Sequence, residues 1–119
     1  MNAEKILDTL PHFTGTEEYT SYKALTKQIY LTQGVDFIVD EAQCYWLVDA
    51  VLSHQIYSYM QKEDFQVWEL KKFGEKWLLE ANDGNGNILV RQFIEFSDFP
   101  LDYAKFYFIN NLLMLPTEY

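Results

Sequence analysis

Hydrophobic and polar residues alternate along the second half of the chain, which is typical of β-strands. Residues 65–72 alternate strictly, with Phe65 on one side of an extended segment and Trp68 on the other. Two further apolar runs, 76–82 and 87–96, follow after short polar segments. The three runs predict consecutive antiparallel strands that form a meander.

The polar segment between the last two runs is the strongest local signal. Residues 82–87 read Asn-Asp-Gly-Asn-Gly-Asn, and these residue types accept the positive φ angles that hairpin turns require. A calcium loop would need a glutamate at its twelfth position and flanking helices. Here Ile88, Leu89 and Val90 follow directly. The segment therefore predicts a hairpin and no metal site.

The first half of the chain shows mainly helical spacing of its apolar residues. Residues 16–26 fit either a helix or a strand, because tyrosines at helical spacing are mixed with several threonines. The elements expected elsewhere are helices over Ala3–Leu10, Val35–Ala42 and Gln43–Gln61, strands over Gln28–Thr32 and Phe106–Ile109, a turn at Asn110–Asn111, and a short run over Leu112–Leu115.

These elements predict one α+β domain over residues 1–119. We expect an antiparallel sheet of about four to five strands, formed largely by the C-terminal meander and packed against helices from the N-terminal half. A length of 119 residues with 49% hydrophobic residues is enough for one packed core. Aromatic residues make up 18% of the chain, and any surplus beyond the core is a candidate interface.

The net charge of −9 limits the classes of partner. A strongly acidic chain is poorly suited to bind nucleic acid or anionic membranes, which require basic surfaces. The first residues lack the features of a secretion signal, and no apolar run approaches the roughly 18 residues of a membrane span. We therefore expect an acidic cytoplasmic protein, with a nucleic-acid mimic or a ligand of a basic protein as the sharper alternative.

Cys44 is the only cysteine, so the chain alone can form neither a disulfide nor a thiolate zinc cluster. Cys44 and His54 are ten positions apart, which on one helix separates them by about 15 Å and excludes a nucleophile pair. His12 is the other histidine and could approach Cys44 in space. The simplest expectation is that Cys44 is a small buried apolar side chain.

Asp49 is the single charged residue within the apolar stretch 45–52, and it is the main candidate for chemistry. We expect partial burial of its carboxylate, which raises the pKa of such a group unless a donor compensates. Ser53 lies one helical turn further on and is a candidate donor. Asp49 is then either an acid/base or recognition group, or an ordinary helix residue whose carboxylate reaches solvent.

With these segments in place, the chain resembles a small bacterial family classed as a domain of unknown function. The resemblance implies a single domain and supplies no mechanism, because no activity is established for that family. It does suggest that Asp49, His54 and the Thr14–Glu17 turn belong in one test. The segments that carry it are Phe13–Glu17, Tyr30–Val35, Tyr45–Asp49, Ser53–Gln55, Phe65–Trp68, Asp83–Asn87, Ile94–Leu101 and Leu115–Tyr119.

The leading functional hypothesis is a non-enzymatic protein-interaction or accessory module whose aromatic sheet face or acidic rim binds an unidentified protein partner. A homodimer is plausible, and no cofactor or metal is predicted. The alternative is a small-ligand-binding domain or a hydrolase-like enzyme with a cleft around Asp49 and His54, with Glu17 as a third weak candidate. An acidic nucleic-acid mimic is the third hypothesis.

Overall fold

Seven strands and four helices form the part of the chain that the computed structural model describes, residues 3–14, 18–24, 27–95 and 97–119. Short 3₁₀ turns at Leu10–His12 and Pro116–Glu118 follow the first helix and the last strand. The helices are α1 (Ala3–Thr9), α2 (Gln33–Ala42), α3 (Tyr45–His54) and α4 (Ser58–Gln61). The strands are β1 (Tyr19–Ala24), β2 (Lys27–Thr32), β3 (Phe65–Phe73), β4 (Lys76–Asn82), β5 (Ile88–Ile94), β6 (Tyr103–Ile109) and β7 (Leu112–Met114).

All seven strands form one sheet in the order β1-β2-β7-β6-β3-β4-β5. Neighbours are antiparallel except β2 and β7, which pair in parallel. The α+β class is confirmed, but the expected four to five strands were too few. β1 lies in the segment whose pattern was ambiguous, and β7 has only three residues, too few for alternation to mark a strand.

The predicted meander is confirmed as β3, β4 and β5, and so is the hairpin between the last two. Gly84 and Gly86 both have positive φ in this loop. The Asp83 carboxylate accepts hydrogen bonds from the side chain of Asn87 at 2.7 Å and from the backbone N–H of Asn85 at 2.8 Å. These donors hold the pKa of Asp83 below its ordinary value. The carboxylate therefore organises the turn.

The long helix expected over Gln43–Gln61 was wrong in extent. The observed helix α3 runs only from Tyr45 to His54. Gln43, just before it, is in the left-handed conformation with φ of 50° and separates α3 from α2. Beyond the break only the four residues of α4 are helical. The buried Gln55 side chain turns inward there, where Nε2 donates to Val51 O at 3.2 Å and to Gln66 Oε1 at 2.8 Å.

The helices pack on one face of the sheet, which we call the covered face. Alternation along the strands directs one set of side chains to this face, and Trp68 and Phe106 at its centre are fully buried. The other buried residues of this set include Ile29, Leu31, Leu70, Leu79, Ala81, Val90, Phe108 and Leu113. The core therefore lies between the helices and one side of the sheet.

Candidate interaction surface on the open face of the sheet

Asp49 lies on the covered side, where its Oδ1 accepts a hydrogen bond from Tyr22 Oη at 2.6 Å. The residue is exposed, so the expected partial burial was wrong. Ser53 is not its donor, because Ser53 Oγ donates to Ala50 O at 2.8 Å. The carboxylate projects from α3 toward the edge strand β1 and thereby joins the two.

Replacing Asp49 with asparagine is expected to make Tyr22 titrate at lower pH. Burial, and then the hydrogen bond and charge of Asp49, raise the pKa of Tyr22 from 10.0 to about 12. Folding thus favours the neutral phenol, and this contribution to stability is present below pH 10 and lost as the pH rises toward 12. Ultraviolet absorbance of tyrosinate against pH measures the shift, and Tyr22→Phe identifies the transition. An unchanged titration in Asp49→Asn contradicts the coupling.

His54 also lies on the covered side, but it points toward the opposite edge of the sheet. Its Nε2 lies 2.9 Å from Gln92 Oε1 on β5, and its ring packs beside Trp68 with centroids 5.9 Å apart. Asp49 and His54 therefore have partners on β1 and β5, the two opposite edges of the sheet. The structure does not bring them together, and Glu17 lies outside the described residues.

Cys44 is fully buried, as the sequence predicted. Its Sγ donates to Ile38 O at 3.9 Å, and burial raises the pKa of the thiol to about 12. The thiolate, which is the nucleophilic form, is therefore scarce at neutral pH.

A thiol reagent is accordingly expected to label Cys44 in the folded protein about a hundredfold more slowly than in urea, because labelling requires the chain to open. Absorbance of the released chromophore gives both rates. Comparable rates in the native and unfolded states would show that the thiol is accessible.

The opposite side of the sheet, which we call the open face, is not covered by any helix of the described residues. Side chains along one line across it are apolar or aromatic in four consecutive strands. Those in register along this line are Tyr30, Leu112, Ile109 and Phe65. Tyr19, Tyr30, Ile109, Leu112 and Met114 border a shallow cavity of about 400 Å³. The rings of Phe65, Tyr107 and Tyr119 adjoin it, with centroids 5.1 to 5.7 Å apart.

A band of charged residues crosses the open face beside this apolar region. The Glu80 carboxylate accepts from Lys71 Nζ at 3.3 Å and from Arg91 Nε at 3.1 Å. Next to it Tyr103 donates to Glu69, and burial together with this bond raises the pKa of Tyr103. Strand positions on this face hold two of the 18 acidic residues, Glu69 and Glu80, and five of the nine basic ones, Lys23, Lys71, Lys76, Arg91 and Lys105. Glu95, just beyond β5, pairs with Lys76 of this face at 3.7 Å. With Glu95 included, five basic and three acidic side chains lie there, so the open face has a small net positive charge although the chain is strongly acidic.

The model of DUF6876, a family of unknown function, matches residues 4–119. This chain belongs to DUF6876. The predicted resemblance to a domain-of-unknown-function family is thereby confirmed. No curated protein and no solved structure matches the chain. Membership in DUF6876 supplies no activity, so any function has to be argued from the arrangement of side chains.

Two further cavities lie elsewhere in this DUF6876 chain. One is polar, about 440 Å³, and is bordered by Gln55, Gln66, Glu63 and Asp64 among others. The second is an apolar groove of about 250 Å³ beside β6. Asp49 and His54 line neither of these cavities nor the one on the open face. Among the described residues, no group of three or more histidine, cysteine, aspartate or glutamate side chains is placed to hold a metal ion.

The sequence indicated an aromatic sheet face but did not place the residues of the open face of this DUF6876 protein, because alternation within single strands does not reveal the order of the strands. Tyr19 lies in the segment left ambiguous, and Tyr30 shares a short strand with buried Ile29 and Leu31. The surplus of aromatic residues was the usable signal.

Within the described ranges, no helix has the length and apolarity needed to cross a membrane.

Proposed function

We propose that this chain is a non-enzymatic protein-interaction module and that the open face contacts its protein partner. The observation that carries the proposal is the division of the sheet into one face packed on helices and one face with exposed aromatic side chains. Phe93 is 60% exposed, Tyr19 53% and Tyr30 44%. Tyr19 and Tyr30 lie on the neighbouring strands β1 and β2, and Phe93 lies on β5 at the opposite edge, so exposed aromatic side chains occur at both ends of this face. Exposed aromatic residues on an uncovered surface are typical of protein interfaces.

The charge distribution supports a protein partner with an acidic or neutral contact surface. Most acidic residues lie off the open face, so the cationic band is the side that an acidic protein can approach with least repulsion. Glu80 is largely buried between Lys71 and Arg91, and its side chain is 8% exposed. This pairing holds the cations in place between the aromatic side chains.

Site-specific photo-crosslinking tests the proposal in the native cell. A photoreactive phenylalanine analogue at Tyr30 or Phe93 is expected to yield one adduct band with a protein identified by mass spectrometry. The same analogue at Tyr59 is a matched control, because Tyr59 is 49% exposed but lies on α4, on the covered side. Equal adducts from all three positions, or none from the open face, would contradict the proposal.

Binding of the purified partner to variants of the chain then measures how much the exposed aromatic side chains contribute to affinity. The double variant Tyr30→Ser/Phe93→Ser is expected to weaken affinity by about a hundredfold, since truncation of an aromatic hot-spot residue costs about tenfold or more. Tyr59→Ser should bind like the unmodified chain. Asp49→Asn and His54→Gln should also retain binding, because both side chains lie on the covered side.

A further inference from the structure

β6 pairs with β3 along its whole length but with β7 along only part of it. The register with β3 runs from Tyr103 to Ile109, whereas β7 pairs only with Tyr107, Phe108 and Ile109. β7 ends at Met114, and the chain then turns away into the 3₁₀ turn that begins at Pro116. The first half of β6 therefore has no strand beside it on the side away from β3, although β6 itself is not an edge strand of the sheet.

The direction of the backbone groups on this edge follows from the ladder with β3. Lys72 N donates to Asp102 O at 3.0 Å, which fixes which residues of β6 bond to β3. Because bonding direction alternates along an antiparallel strand, the N–H and C=O groups of Tyr103 and Lys105 point away from β3. No hydrogen bond from elsewhere in the described ranges reaches these four groups.

The space in front of these groups is the apolar groove of about 250 Å³. Besides residues of β6, its lining includes Leu7, Leu10 and Pro11 from the N-terminal segment and Leu115, Pro116 and Thr117 from the segment after β7. Among the lining residues Lys105 alone carries a charge, and its Nζ lies over the Tyr107 ring at 5.6 Å from the centroid. The groove thus offers the backbone N–H and C=O groups of Tyr103 and Lys105, an apolar lining and the ammonium group of Lys105.

We propose that this groove binds an extended peptide segment of another protein, which adds to β6 as a strand. Its backbone pairs with Tyr103 and Lys105, an apolar side chain enters between Leu10 and Leu115, and an acidic side chain lies beside Lys105. The unused backbone groups favour a peptide over a purely apolar small molecule, which could not pair with them. The groove borders the open face and shares Lys105 with it, but strand addition uses the backbone of β6 and does not depend on the contact proposed at Tyr30 and Phe93.

Selection of a random peptide library displayed on phage, using the full chain as bait, tests the proposal. Enriched peptides are expected to alternate apolar and polar positions and to carry an acidic residue, and their affinity is read from fluorescence anisotropy. N-methylation of alternate backbone nitrogens in a selected peptide should abolish binding, and methylation of the intervening ones should leave it unchanged, because only one edge of an added strand pairs.

Variants of the chain locate the binding site. Lys105→Pro removes an outward N–H without breaking the ladder to β3, and is expected to weaken binding by about tenfold or more. Ser21→Pro is the matched control, because Ser21 lies on the edge strand β1 and should leave binding unchanged. Leu7→Glu is a second variant of the groove, for the case in which Lys105→Pro fails to fold. Leu7 is 57% exposed, so the new carboxylate should leave the core intact and weaken binding of acidic peptides by repulsion.

Absence of enriched peptides would overturn the proposal. So would equal affinity for Lys105→Pro and the unmodified chain, or sensitivity to N-methylation at every position. Binding of decanoate in place of any peptide would assign the groove to an apolar small molecule, and a dimer abolished by Lys105→Pro would assign it to a second copy. Each of these results would leave the crosslinking outcome at Tyr30 and Phe93 unchanged.

Discussion

Replacing Gln66 with leucine is expected to lower the free energy of unfolding by about 3–5 kcal/mol, because it leaves buried polar groups without partners. Gln55 and Gln66 are 2% and 1% exposed, and each amide donates to the other, at 2.8 and 2.9 Å. Gln66 also accepts from Trp68 Nε1 at 2.9 Å and donates to Met60 O at 3.1 Å. The substitution deprives three neighbours of a partner at once.

Urea unfolding followed by tryptophan fluorescence measures this loss. Gln28→Leu is a matched control, because Gln28 is an exposed glutamine on β2 whose replacement should change stability by less than about 0.5 kcal/mol. The double variant Gln55→Leu/Gln66→Leu should cost less than the sum of the two single variants, since it removes both members of the amide pair. Additive losses would contradict the coupling.

The second large effect is expected at Glu118, whose carboxylate joins the C-terminal segment to the start of α2. Its oxygens accept from Thr32 Oγ1 at 2.6 Å, Leu115 N at 3.1 Å and Gly34 N at 3.2 Å. A carboxylate at a helix N-terminus also interacts favourably with the helix dipole. Glu118→Ala is therefore expected to cost about 2–4 kcal/mol in unfolding free energy.

Chemical denaturation of Glu118→Ala and three comparison variants checks this expectation. Glu118→Gln keeps the shape and one acceptor, so it should lose about half as much as the alanine variant. Gly34→Ala should also destabilise, because a Cβ there would lie 2.5 Å from Leu115 Cδ1 and 2.6 Å from Glu118 Oε1. Glu95→Ala is the control at a side chain 85% exposed. Equal stability of Glu118→Ala and Glu95→Ala would show that the cap contributes nothing.

Local signals in the sequence were sufficient where structure depends on neighbours along the chain. The meander followed from alternation and from the Asp83–Asn87 turn, and the observed strands β3 and β4 agree closely with 65–72 and 76–82. The break in the long predicted helix was not visible. At the break the buried Gln55 bonds to Gln66, a contact between residues eleven positions apart that helical periodicity does not encode.

The candidate site depended even more on tertiary arrangement. A surplus of aromatic residues indicated an interface, but the place of that interface follows from strand order, which brings Tyr30 beside Leu112. The emphasis on Asp49 came from one charge in an apolar run, and the helix turns that charge outward to Tyr22. Spacing along one helix could not show that Asp49 and His54 face opposite edges of the sheet.

The position of β7 has a consequence for how the chain folds during synthesis. β7 follows every other strand in sequence, yet it lies between β2 and β6 in the sheet. A nascent chain that has not reached Leu112 can form the β1–β2 hairpin and the β6-β3-β4-β5 unit, but nothing in the sheet joins them. The seven-stranded sheet is therefore complete only when β7, the last of its strands to be synthesised, has inserted between β2 and β6.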